Sequence, residues 1–217
     1  MSLLTLYVDG YFVNQFDASV MVALHEKGLE FSTARGLLRG EGGVPASLTA
    51  RTGIPRVPAL QHRDLWLTES MAIIEYLEET FPAPGHPRVL PADPALRARA
   101  RQIMSFVRFD VIDLRSERSF WMCVYPPPAP QPPLSRSAER DTRELLALAE
   151  RFAGEQLPFC MAHADLAYTL LRLERTGSAL PAPVAAFVAE TIARPSVRAY
   201  LVHPRPPFPP PRQIAAG

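Results

Sequence analysis

Between Gly53 and Ser70 the sequence admits few arrangements. Val57-Pro58-Ala59-Leu60 reads as the start of a strand, Gln61 to Asp64 as a turn, and Leu65-Trp66-Leu67 as the return strand of a hairpin. Thr68-Glu69-Ser70 then opens a helix through Met71-Ala72-Ile73-Ile74-Glu75-Tyr76-Leu77, whose apolar residues recur at helical spacing. Proline has no N–H to give to a ladder, so Pro58 belongs at the strand's first position or on an edge. The Val57-Pro58 bond is a candidate for the cis form. At such an entry the N–H and C=O of Val57 are left for an extended, peptide-like ligand to join as a pseudo-strand. A few residues on, the helix N-terminus offers N–H groups and a positive dipole end to a carboxylate. Glu69 stands there as a counter-charge for an ammonium group.

The rest of the chain can be placed around this hairpin. Leu3 to Val8 reads as a strand left by an Asp9-Gly10 turn, and a helix is expected from about Asp17 to Lys27, stopped by Gly28. Leu29 to Thr33 is a second strand candidate, and the glycine-rich stretch 36–52 leaves room for one short helix. The resulting β-α-β-α-β-β-α series predicts an α/β domain with a four-stranded mixed sheet. It is expected over 1–83, followed by a proline-rich linker over 84–94. An all-α helical bundle domain follows over 95–203, with helices at 95–122, 136–153, 163–176, 182–193 and 195–202. A proline-rich tail occupies 204–217, with disorder as its default reading and packing near the active cleft as the alternative. Arg101, Arg108 and Arg115, seven apart, read as a solvated stripe of the first of these helices, or as the lining of a cleft.

Of the 217 residues, 47% are hydrophobic and 21% charged, with a net charge of +1 and the two signs interleaved. That balance gives no reason to expect nucleic acid or a membrane surface as partner. No signal peptide and no membrane-spanning stretch are expected. Cys123 and Cys160 lack metal-ligand spacing, so no metal is expected, and single thiols in a reducing cytoplasm are favoured over a disulfide.

Val57-Pro58 followed by Glu69-Ser70 resembles the glutathione site of the glutathione transferase superfamily, in its thioredoxin-like N-terminal domain. The likeness extends over nearly the whole chain. Val22 to Leu29, Arg56-Val57-Pro58 and Arg97 to Ile103 are most similar to a YfcF-like bacterial branch. The resemblance implies glutathione as co-substrate, a small electrophile or peroxide as second substrate, and a homodimer. It also implies that Val57, Pro58, Glu69 and Ser70 hold the tripeptide. Arg56 and Arg39 are candidates for its glycine carboxylate. Ala162-His163-Ala164-Asp165 resembles the family's helix-capping box, with Ala162 in the place of the hydroxyl residue.

Such enzymes donate a hydrogen bond to the glutathione thiolate from the first strand–helix loop, through Ser, Cys or Tyr. Here Asn14 stands where Ser or Cys would, and its amide can donate. The alternatives are that Asn14 only shapes the loop, or that the Tyr11 phenol is the donor; Tyr7 reads as packed within the strand and Ser19 as part of the helix that follows. No cysteine lies in the loop, which argues against a mixed disulfide on the enzyme. The Ser-Ser-Cys pattern of glutathione-dependent isomerases is also absent. The function expected is conjugation of glutathione to electrophiles, with peroxide reduction beside it. The alternative is a glutathione-binding or protein-interaction module without catalysis.

Overall fold

The computed structural model describes residues 3–36, 46–127, 130–155 and 157–207. The chain divides into two compact units. One runs to Arg88 and takes back the chain from Val202; the other is Val89–Leu201.

In the first unit, strand β1 (Leu4–Asp9) alternates buried Leu4, Leu6 and Val8 with half-buried Thr5 and Tyr7. This is the period-two pattern of a sheet that buries one face more deeply than the other. It pairs in parallel with β2 (Ser32–Gly36) and antiparallel with β3 (Ala59–His62), and β3 pairs antiparallel with β4 (Leu65–Thr68). The order β2-β1-β3-β4 is the expected mixed four-stranded sheet. Helices α1 (Gln15–Glu26) and α3 (Ser70–Thr80) pack against each other, and α2 (Ala46–Thr52) lies against β4.

The second strand begins later than the expected Leu29 because Leu29 is spent on ending α1. Gly28 takes φ 64°, its N–H bonds to His25 O at 3.0 Å, and the Leu29 N–H bonds to Leu24 O at 3.0 Å. This is a Schellman cap, and only glycine takes that backbone without a Cβ penalty.

Just before it, Lys27 is buried and its ammonium group has three acceptors. They are Glu78 Oε2 at 2.9 Å, Phe81 O at 3.0 Å and Pro87 O at 3.1 Å. Three protons meet three oxygens, which is the condition for a buried charge to be tolerated. The beginning of the proline-rich connection is thereby fixed to α1.

In the second unit the expected helix 95–122 is three pieces: α4 (Pro94–Phe109), α5 (Ile112–Glu117) and α6 (Trp121–Val124). The break after Phe109 has two causes. The Arg115 guanidinium donates to Arg108 O, taking a carbonyl that a continuing helix would use. Asp141 Oδ2 accepts the Asp113 and Leu114 N–H groups at 3.0 and 3.1 Å, and so caps α5 from α7 (Arg136–Ala153). The arginine stripe is not uniformly solvated: Arg108 is buried and paired with Asp165, while Arg101 and Arg115 are half-buried.

Three further helices, α8 (Met161–Arg175), α9 (Ala182–Ala193) and α10 (Pro195–Leu201), complete this unit. The α8 cap is two residues upstream of the expected Ala162–Asp165 box. Cys160 is the N-cap residue, and the Cys160 N–H bonds to His163 Nδ1 at 3.2 Å. Ala162 is inside the helix, so the missing hydroxyl costs nothing there. Among the described residues no helix is long and apolar enough to cross a membrane.

Candidate functional site

Strand register gathers the hairpin's two ends. Tyr7 opposite Ala59 sets the entry of β3 beside the carboxyl end of β1, and Ala59 opposite Thr68 sets Glu69 across from Pro58. The Val57-Pro58 peptide is cis. Glu69 precedes α3 with φ 68°, and its carbonyl accepts the Ile73 N–H at 2.9 Å. Its side chain makes no cap bond to the helix and is exposed. A non-glycine residue in the left-handed region is uncommon, and such residues cluster at ligand sites. Ser70, the first residue of α3, is buried.

The β1–α1 loop closes on this edge. Asn14 is the N-cap of α1, its Oδ1 accepting the Phe16 N–H at 2.9 Å, while its Nδ2 donates to Val57 O at 3.2 Å. One side chain therefore starts the helix and ties it to the strand entry. A carbonyl oxygen has two lone pairs, so Val57 O keeps acceptor capacity beside this bond. Tyr11, half-buried on the same loop, has its backbone N–H on Asp9 Oδ1 at 2.8 Å. Arg56 is exposed one residue ahead of Val57, and Arg39 lies outside the described residues. No group of three His, Cys, Asp or Glu that could hold a metal occurs among the described residues.

Two carboxyl groups beneath the loop escaped the sequence reading, in which Asp9 served only as a turn residue. Asp9 Oδ1 also accepts the Val13 N–H at 3.3 Å, and Asp17 Oδ2 accepts the Asp9 N–H at 2.5 Å. Asp9 Oδ2 and Asp17 Oδ1 are buried and make no hydrogen bond. Burial pushes the Asp9 carboxyl above the usual carboxylate range, against the N–H bonds from Tyr11, Val13 and Phe12. It pushes Asp17 well above that range, with the Asp9 charge adding to the effect and the Asp9 N–H bond opposing it. The signal for Asp17 was present: an acid leading into the apolar run Val20-Met21-Val22-Ala23-Leu24.

A sequence model of the family described as "Glutathione S-transferase, N-terminal domain" matches residues 18–80. A crystal structure of a Burkholderia glutathione transferase homolog with bound glutathione is 34% identical at a TM-score of 0.74, over 91% of this chain and 96% of that one. The chain belongs to the glutathione transferase family. As a family member it also superposes on the theta-class glutathione S-transferase of Xanthomonas axonopodis pv. citri with glutathione bound. There the TM-score is 0.74 at 21% identity, over 94% of this chain and 99% of that one, a likeness of fold. Maleylacetoacetate isomerase of Rattus norvegicus is 35% identical over 108 residues, 49% of each protein. The chain thus spans about half the length of the curated relatives it matches. The sheet and helical units are the thioredoxin-like and helical parts of this family's fold.

Proposed function

We propose that this glutathione transferase relative binds glutathione along the Val57 edge and conjugates its thiolate to small electrophiles, with peroxide reduction as a second activity. The observation that carries the reading is the Asn14–Val57 bond, which joins the first loop to the strand entry beside Glu69 and Ser70.

The cysteinyl backbone of glutathione pairs with the Val57 backbone as a pseudo-strand. The γ-glutamyl carboxylate takes Ser70 and the N–H groups at the start of α3, and its ammonium group takes Glu69. Arg56 and Arg39 are the candidates for the glycine carboxylate. The thiol then lies towards the Tyr11–Asn14 loop, where the Asn14 amide stabilises the thiolate. The thiol proton leaves to solvent, the sulfur electron pair forms an S–C bond, and the electrophile's leaving group departs. With a peroxide, two glutathiones become a disulfide while the O–O bond is reduced to alcohol and water.

Two free, buried cysteines fit a reducing cytoplasm. The homodimer and the YfcF-like branch are expected from resemblance alone. A non-catalytic glutathione-binding module is the second reading, favoured by the structural use of both ends of the Asn14 side chain.

Calorimetric titration with glutathione tests the site. Glu69→Gln and Ser70→Ala should each weaken binding by about 1.5–3 kcal/mol, roughly ten- to hundredfold in Kd, with the fold intact. Wild-type affinity in both variants would remove these residues from the site. Turnover of a generic aromatic electrophile and of cumene hydroperoxide separates the two readings, since the module binds glutathione without consuming it.

A further inference from the structure

The segment that follows the last helix returns to the first unit and meets the loop that carries Tyr11 and Asn14. Phe12, in the middle of that loop, is buried to 1% exposure and has φ 53°, a left-handed backbone that a bulky side chain rarely adopts. Surrounding contacts must impose such a conformation. From inside, Asp9 supplies them: Asp9 O accepts the Phe12 N–H at 3.1 Å, and Asp9 Oδ1 accepts the N–H groups of Tyr11 and Val13 on either side.

From outside, the C-terminal segment supplies the rest. Arg205 Nε donates to Phe12 O at 3.2 Å, and Arg205 Nη1 donates to His203 O at 2.7 Å. The His203 ring packs on the Phe12 ring with centroids 4.1 Å apart, and the Arg35 guanidinium lies 5.7 Å from the same centroid. Burial, with Arg205 and Arg35 beside it, lowers the His203 pKa, so the stacked ring is neutral at pH 7.

We infer that His203 and Arg205 are positioning residues for the thiol-facing loop, holding Phe12 so that Asn14, two residues on, reaches both the start of α1 and Val57. The inference rests on the reading of that edge as a glutathione site. It gives a specific role to a segment that the sequence left as a proline-rich tail, disordered by default or packed near the active cleft. Neither residue touches glutathione in this scheme; each acts through the Phe12 backbone or ring. Their loss therefore acts on thiol activation, while the contacts of Val57, Glu69 and Ser70 with the body of the tripeptide remain.

The test is steady-state kinetics on the full chain with Arg205→Ala, His203→Ala and the ring-preserving His203→Phe. It is joined to amide hydrogen exchange at Tyr11 and Val13 and to the absorbance of bound thiolate against pH. Both alanine variants should lower kcat about tenfold or more, since small misplacements near reacting atoms carry costs of that order, with KM for glutathione within about twofold. Exchange at Tyr11 and Val13 should quicken, and the bound thiol should titrate at higher pH. His203→Phe should restore kcat and slow exchange. Wild-type kcat, exchange and thiol titration in folded alanine variants would overturn the inference. So would a fall in kcat that His203→Phe shares. If the alanine variants do not fold, an Arg205→Lys variant with unchanged exchange and unchanged kcat overturns it, because lysine cannot reproduce the paired donation from Nε and Nη1. If the wild type neither binds nor turns over glutathione, the functional reading fails instead, and with it the role assigned to these residues, whatever the exchange result.

Discussion

Asp17 shows how far a single buried group can depart from its ordinary chemistry. Its carboxyl is fully buried at the base of the loop, one oxygen on the Asp9 N–H and the other without a hydrogen bond. Because its pKa is raised in the fold, the folded chain holds a proton that the unfolded chain releases above about pH 3.9. Stability is therefore lost as pH rises from there through the folded pKa. Asn is close in shape to the protonated acid and removes this linkage. Asp17→Asn should be more stable than wild type at pH 7–8, by about 1.4 kcal/mol for each unit by which the fold raises the carboxyl pKa, with the gap closing towards pH 4. Denaturant melts across that range would check it; a variant less stable than wild type at pH 8 would contradict it. The sequence showed the acid leading into an apolar helix. It did not show which backbone N–H that acid meets, because the partner lies on a different element.

At the scale of elements, spacing reveals helices better than it reveals their ends. Helices α7, α9 and α10 follow their hydrophobic pattern and flanking prolines closely, whereas α4 to α6 looked like one helix. The cause of that break is remote in sequence: Asp141 on α7 caps α5. The α8 cap was also hidden, because Cys160 and His163 are unusual residues for a capping box. Burial lowers the His163 pKa, with the Arg194 charge acting in the same direction and the backbone hydrogen bonds at Cys160 and Leu157 opposing it. The unfolded chain takes up a proton below about pH 6.5 that the folded chain resists, so stability falls as pH drops from there towards the folded value. His163→Gln supplies an N3 acceptor without a titrating group. Its melting temperature should fall less than the wild type's between pH 7.5 and 5.5. Parallel curves would show that the cap does not carry this dependence.

On the scale of the whole chain, the mixed four-stranded sheet and the placement of Val57, Pro58, Glu69 and Ser70 at one hairpin end were legible from the element series, an entry proline and a helix start, whereas the strand order was not. The hold on the Tyr11–Asn14 loop was not. It depends on Asp9 and Asp17 below and on Arg205, 193 residues from Phe12, above. No local pattern encodes such distant contacts. This arrangement acts on a bound thiol, so the most direct measurement is thiolate absorbance against pH for glutathione bound to wild type, Asn14→Ala, Asn14→Ser and Tyr11→Phe. A hydrogen bond to a charged group is worth about 1.5–3 kcal/mol, so Asn14→Ala should raise the bound thiol's pKa by roughly one to two units. Asn14→Ser, which keeps a capping oxygen and a donor, should retain part of the effect, and Tyr11→Phe should titrate as wild type does. Asn14→Ala titrating with wild type while Tyr11→Phe shifts would contradict the account and assign the thiolate to the phenol.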